Sequence, residues 1–363
     1  MTEKPPFQLV SYIAPGAPAT RRPARGDEPF LRPETGFTPK WHRENAGIDF
    51  GEAFHRDPVR RRAAVLAMRG GLERRFPGTG LGRTGEPLDL LTGAYGACAV
   101  AAMFGVPVHY LPDQWPTCAG PYLDDDAVDR IEPVDPSSNP FFQELLAQVE
   151  WIAGSEGRVE GFINWQGVLN NAHRLRGEAL FMDMMTEPER CRRLFNAVAE
   201  TMIAAARLLH ERQRASGVDV RFFTLSNCLV NLVSPELYRD LLLPFDRRVA
   251  ESFACVGVHN CAWTADPYLE AYAEIPRTAY MDMGLHSDLA RARALFPDAR
   301  RAIMYTPTDL ANKTPGELRA DLERIAGEYG PCDLVAADIE SGTPDGRVLL
   351  LLELCRDISA ARA

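Results

Sequence analysis

Val256-Gly-Val-His-Asn-Cys-Ala-Trp-Thr-Ala-Asp266 continues an apolar run that begins at Ala254, and it breaks into polar residues and Pro267 after Val258. A short apolar run that ends this way reads as a buried parallel strand entering a loop. Residues i and i+2 of a strand share a face, so His259 and Cys261 point at one spot from the strand end. Imidazole and thiolate are the ligands zinc prefers. The same two residues also allow a plainer reading, a buried histidine bonded to backbone beside a cysteine acting as a small hydrophobe.

The same alternation continues on both sides of this stretch. Short apolar strands are predicted at residues 107–111, 158–164, 218–225, 254–261, 278–284, 300–306 and 332–338. Helices are predicted at 58–75, 87–105, 140–154, 187–216, 234–253, 266–274, 286–296, 314–329 and 346–360. Asp57-Pro58 and Ser234-Pro235 each place a capping side chain before proline at the first helical position. About seven or eight strands, each followed by a helix, predict an α/β fold of the (β/α)8 TIM-barrel type rather than an open sheet. Residues 58–363 are assigned to the barrel and 1–57 to an irregular N-terminal arm packed on it, because the first forty residues are dense in Pro, Arg and Gly without a period. Within the arm, Phe37 to Phe50 suits docking, with His42 and Asp49 as secondary site residues.

Reactive groups of such barrels lie on the loops after the strands. The polar residues that fall there are Asn164, Gln166, Asn227, Cys228, His259, Cys261, Asp282, Tyr305, Asp338 and Glu340. We take His259 and Cys261 as catalytic and Asn164, Gln166, Asn227, Asp282 and Tyr305 as substrate-binding. Gly80-Leu-Gly-Arg-Thr-Gly85 spells a dinucleotide loop, but a helix end precedes it where a strand is required, so it reads as a glycine-rich connection.

With 50 acidic and 40 basic residues the formal charge is -10, which argues against a nucleic-acid partner. The basic runs Arg21 to Arg25 and Arg60-Arg-Arg62 read as solvated surface. Eight cysteines without a secreted-framework spacing, and a start lacking an apolar signal core, point to a reducing cytoplasm. Leu88 to Pro112 carries Asp89 and Pro107 and reads as a buried helix and strand rather than a membrane span.

In several places the chain resembles the uroporphyrinogen decarboxylase superfamily, which includes zinc-dependent corrinoid:thiol methyltransferases. These are Leu175-Arg-Gly-Glu with Thr186-Glu-Pro-Glu, Ser234-Pro-Glu-Leu-Tyr through Leu243-Pro, His259-Asn-Cys261, and Gly342-Thr-Pro, over about residues 90 to 355. The resemblance implies the TIM-barrel fold. No N-terminal Arg motif of the decarboxylase branch is found in residues 1–60. The methyltransferase branch binds zinc with a His-x-Cys and a later Cys. His259 and Cys261 match the first part, whereas Ala337 stands where the later Cys is expected, and Ala262-Trp263 replaces the usual Gly. Either a third ligand comes from Cys228, Asp338 or Glu340, with Cys228 and Asp338 preferred, or the metal is lost and His259-Asn-Cys261 binds substrate directly; Cys332 lies at the wrong end of its strand.

Three functions follow as expectations. The leading one is zinc-dependent methyl transfer to a thiol or related nucleophile from a corrinoid (cobalamin) on a partner protein, or from another methyl donor. The alternatives are a metal-free decarboxylase-like lyase, in which Asp282 or the His42 loop polarises a polycarboxylate, and a non-catalytic barrel that binds a corrinoid or tetrapyrrole. All three take a small-molecule ligand and need neither nucleic acid nor membrane.

Overall fold

The computed structural model describes residues 29–82 and 87–362. The basic run Arg21 to Arg25 and the end of the glycine-rich segment, residues 83–86, lie outside the described residues. The strands are β1 (Leu31–Phe37), β2 (Val108–His109), β3 (Thr117–Cys118), β4 (Phe222–Ser226), β5 (Cys255–His259), β6 (Thr278–Gly284), β7 (Arg300–Tyr305) and β8 (Cys332–Ile339). Six of them form one parallel sheet in the order β1-β8-β7-β6-β5-β4. The gap between β4 and β1 is filled at Asp89 and Glu160, which bridge in parallel. Counted with these two segments, the ring has eight positions, each followed by helix, and the fold is a (β/α)8 barrel.

Closure through β1 corrects the expected arm. Leu31–Phe37 lies in the sheet, paired with β8 from Leu31↔Cys332 to Phe37↔Ile339. Its Arg, Pro, Glu and Gly hide it from a search for apolar alternation, but two of them face a polar barrel floor. There Asp333 accepts from Arg32 Nε at 2.5 Å and from Arg300 Nε at 2.7 Å and Nη2 at 2.9 Å, with all three residues buried.

The stretch predicted as helix 87–105 and strand 107–111 divides differently. Asp89 sits in the ring and ends its segment by accepting from the Leu91 and Thr92 amides, which leaves only Ala99–Met103 as helix. Val108–His109 pairs antiparallel with Thr117–Cys118 in a ribbon separate from the barrel sheet. A Cβ at Gly161, φ 89°, would strike the Asp89 carboxylate, so this close approach depends on glycine. Nor is all of Arg60–Arg62 solvated. Arg61 is fully buried in helix Pro58–Arg75, and its guanidinium donates to the carbonyls of Leu90, Phe54 and His55 and to Gln148 Oε1. It thereby satisfies a carbonyl that the irregular second ring segment leaves without a ladder partner.

From Pro140 onward most predicted elements fall close to their positions, but 158–164 contributes only the bridge at Glu160, and the helices Val168–Arg176, Ala179–Thr186 and Pro307–Asn312 were not predicted. Inside the ring, Phe222, Cys255, Tyr280, Ala302, Met304, Val335 and Ala337 pack together below the strand ends. Among the described residues no helix is long and apolar enough to cross a membrane.

Candidate metal centre

Strands β4 and β5 pair in parallel with Ser226 opposite His259, so the residues just beyond them emerge side by side at the C-terminal mouth. Cys228, His259 and Cys261 converge there, each offering a ligand atom within 4.8 Å of the others. The Cys261 thiol donates to Cys228 Sγ at 2.8 Å, and His259 Nε2 lies 3.3 Å from Cys261 Sγ. Asp338 and Glu340 do not join the set. They lie on and just past β8, on the far side of the ring from β4 and β5.

The polar residues behind the set fix its orientation. His259 Nδ1 donates to Asp282 Oδ2 at 2.7 Å, which leaves Nε2 facing the two sulfurs. Asp282, fully buried in β6, also accepts from the Asn260 amide on Oδ1 at 2.8 Å and from the Tyr280 hydroxyl on Oδ2 at 2.9 Å. Its two oxygens are thus occupied by protein, and its role is to anchor His259 and Asn260 rather than to meet a substrate. Asn227 is used in the same way. Its amide donates to the His259 carbonyl at 2.7 Å, and its side chain donates to Asp246 Oδ2 at 2.9 Å.

Burial opposes charge on the His259 ring, but Asp282 and the two sulfurs outweigh it and hold the imidazole well above its ordinary pKa. The hydrogen bond from Cys261 holds the Cys228 thiol well below its usual value, against burial, and the same bond together with burial raises Cys261. An imidazole with a carboxylate behind it and two sulfurs, one already favouring thiolate, is a donor set suited to a thiophilic divalent metal.

The remaining predicted residues lie as follows. Asn164 accepts from the Gln166 amide and side chain, and Gln166 Oε1 accepts from Asn170, forming a buried amide row beside the mouth. Tyr305 turns outward, its hydroxyl donating to Asp321 at 2.7 Å. His42 is buried among Phe37, Trp41 and Phe50, where burial lowers its pKa to about 4, and Asp49 accepts from its own Gly51 amide. Gln166, Cys261 and Asp338 all adopt left-handed backbone, with φ of 60°, 53° and 54°. Non-glycine residues rarely do so, and such strain gathers at functional sites.

Sequence reasoning missed Asp246 and Tyr238, whose hydroxyl donates to Asp246 Oδ2 at 2.8 Å. The available signal was an acid in the otherwise apolar Leu243-Pro-Phe-Asp turn, on the buried side of its helix. Burial lifts the Asp246 carboxyl from 3.8 to about 6, against the pull of its two hydrogen bonds. Since the folded value is the higher one, its contribution to stability is fully present below about pH 4 and is lost as pH rises through about 6. The shift amounts to about 3 kcal/mol. Asp246→Asn keeps an oxygen for both donors. It is expected to abolish this fall and to leave the protein about 2–3 kcal/mol more stable than wild type at pH 7, read from urea midpoints across pH 4–7.

The family model for Uroporphyrinogen decarboxylase (URO-D) matches residues 85–326, a span that contains all three converging residues. No curated protein matches the chain. Among solved structures, a methyltransferase from Methanosarcina mazei superposes with a TM-score of 0.67 at 14% identity, covering 92% of this chain and 95% of that one. A putative vitamin-B12 independent methionine synthase from Listeria monocytogenes reaches a TM-score of 0.38 at 12% identity, over 64% of this chain and 72% of that one, and adds nothing to the fold assignment. At these identities the likeness concerns the fold.

Proposed function

We propose, from the premise that this chain belongs to the uroporphyrinogen decarboxylase (URO-D) family, that it is a zinc-dependent methyltransferase. It would move a methyl group from a corrinoid, or another methyl donor, to a thiol at the barrel mouth. The observation that carries this reading is the convergence of Cys228, His259 and Cys261. The name of the Methanosarcina mazei neighbour is consistent with it.

The residues fit the metal. Tetrahedral zinc, with bonds of about 2.3 Å to sulfur and 2.0 Å to nitrogen, sets two sulfurs about 3.8 Å apart and a sulfur about 3.5 Å from the nitrogen. Here those separations are 2.8 and 3.3 Å, so the side chains need only spread by about 1 Å or less. Two sulfurs and one imidazole leave a fourth position open, the ligand count of a catalytic rather than a structural zinc. When bound there, zinc would lower an acceptor thiol's pKa and hold it as the nucleophilic thiolate.

The protein's own groups prepare that position. Asp282 fixes the His259 ring with Nε2 presented, and Asn227 ties the Cys228 loop to the His259 carbonyl and to Asp246. The lyase reading has less support, since a substrate would have to compete with His259, Asn260 and Tyr280 for the Asp282 oxygens.

The test is zinc content of protein purified without added metal, followed by transfer of methyl from methylcobalamin to simple thiols. Wild type is expected to carry about one zinc per chain. His259→Ala and Cys261→Ala should each lose metal and activity while keeping the circular dichroism of the barrel, because mouth residues serve function more than stability. Metal-stripped wild type that transfers methyl at full rate would sink the proposal.

A further inference from the structure

We infer that the acceptor thiol carries a cationic group, an aminothiol in chemical class, and that Asp338 selects it. This inference rests on the metal-centre reading above and names the substrate class of that same site.

All three ligand atoms come from the ends of β4 and β5, neighbours in the ring. Three ligands on one wall push the fourth vertex toward the opposite wall, which in a ring of eight positions is the β8–β1 wall. On that wall Ala337 faces the interior, packed with Val335 and Met304.

The wall is also irregular at this height. Pairing advances two residues on β1, from Thr35 to Phe37, and three on β8, from Ala336 to Ile339. The extra residue is a bulge at Ala337–Asp338, with Asp338 left-handed at φ 54°. Bulges re-aim side chains at barrel rims. Asp338 is accordingly within electrostatic reach of His259 across the mouth, and it also feels the charge of Glu340. The Asp338 side chain is exposed to solvent at the rim; partial desolvation and Glu340 raise its carboxyl, while His259 pulls it back. Neither Asp338 nor Glu340 has a side-chain hydrogen bond or ion pair among the described residues, and Lys40, which follows β1, pairs with neither.

Two buried polar groups without protein partners lie on the β4 side of the mouth. Ser226 is in register with His259 on the inward face of β4, 1% exposed, and its hydroxyl has no protein partner. The side-chain nitrogen of Asn164, 3% exposed at the end of the adjoining ring segment, also has none. Buried polar groups of this kind are ordinarily satisfied, so they mark surface that a polar small molecule would meet.

Charge then decides the class. Two thiolates and an imidazole neutralise a divalent metal, and an incoming thiolate adds one negative charge opposite two carboxylates. A second anionic group on the acceptor would be repelled there, whereas an ammonium a few bonds from the sulfur would be attracted.

The experiment uses cobalt(II)-substituted full-length protein and follows the thiolate-to-cobalt absorption while titrating 2-aminoethanethiol, 2-mercaptoethanol and 3-mercaptopropionate. Wild type is expected to bind the aminothiol at least about tenfold more tightly than the carboxylate thiol. Asparagine tolerates left-handed backbone, so Asp338→Asn should keep the bulge and full cobalt stoichiometry while reducing that ratio at least about fivefold. Comparing ratios between proteins cancels the intrinsic acidities of the thiols. Protein that binds cobalt but shows no charge preference, or a preference unchanged in Asp338→Asn, overturns this inference alone. Protein that binds no cobalt overturns it together with the metal-centre reading.

Discussion

Replacing Cys228 with alanine is expected to lower zinc affinity by about two to three orders of magnitude and to abolish thiol methylation. Structural zinc sites bind with about 10–16 kcal/mol across four ligands, so one ligand contributes about 2.5–4 kcal/mol, and each 1.4 kcal/mol is a factor of ten. The measurement is a competition titration against a chromophoric chelator. Cys255→Ala is the matched control, since Cys255 is buried inside the ring and outside the converging set. Equal affinities for the two variants would remove Cys228 from the site.

The largest stability effect is expected at the barrel floor. Asp333→Ala takes away the carboxylate that Arg32 and Arg300 both contact inside the ring, where both side chains are buried. Breaking a buried ionic cluster in this way costs about 3–5 kcal/mol, a large share of the stability of an ordinary domain. Denaturant unfolding should show it as a lower midpoint with little change in slope. Replacing all three residues with apolar ones of similar volume should recover most of the loss, because burying an ion pair is itself unfavourable. If the triple variant is no better than the single one, the three residues contribute through shape rather than charge.

Much of this architecture was legible because both strand faces are buried in a parallel barrel, so strands such as β5 and β6 appear as short apolar runs between amphipathic helices. β1 was not legible. Leu-Arg-Pro-Glu-Thr-Gly-Phe has no apolar period, and its partner β8 begins some three hundred residues later. Asp89 was hidden in a Leu- and Ala-rich stretch that reads as helix. At the site, His259, Cys261 and Cys228 could be picked out because each lies at or just past a strand end. Choosing Cys228 over Asp338 required knowing that β4 adjoins β5 while β8 stands across the ring. The role of Asp282 depends on the β5–β6 pairing, in which Val258 lies opposite Met281, so that the next residues, His259 and Asp282, stand side by side. That register cannot be read from either strand alone.

The seam between β1 and β8 also has a consequence for how the chain is made. Leu31 pairs with Cys332, so the first strand waits on the ribosome until its partner has been synthesised, which at about 5–20 residues per second takes about 15–60 s. During that interval β1 has an unpaired edge, and Arg32 lacks the carboxylate of Asp333. Contacts of such long sequence separation form late and slow folding. The nascent protein therefore passes through a stage in which most of the wall exists but the ring is open, and its exposed strand edges are then the surface on which a holdase chaperone or a neighbouring nascent chain acts.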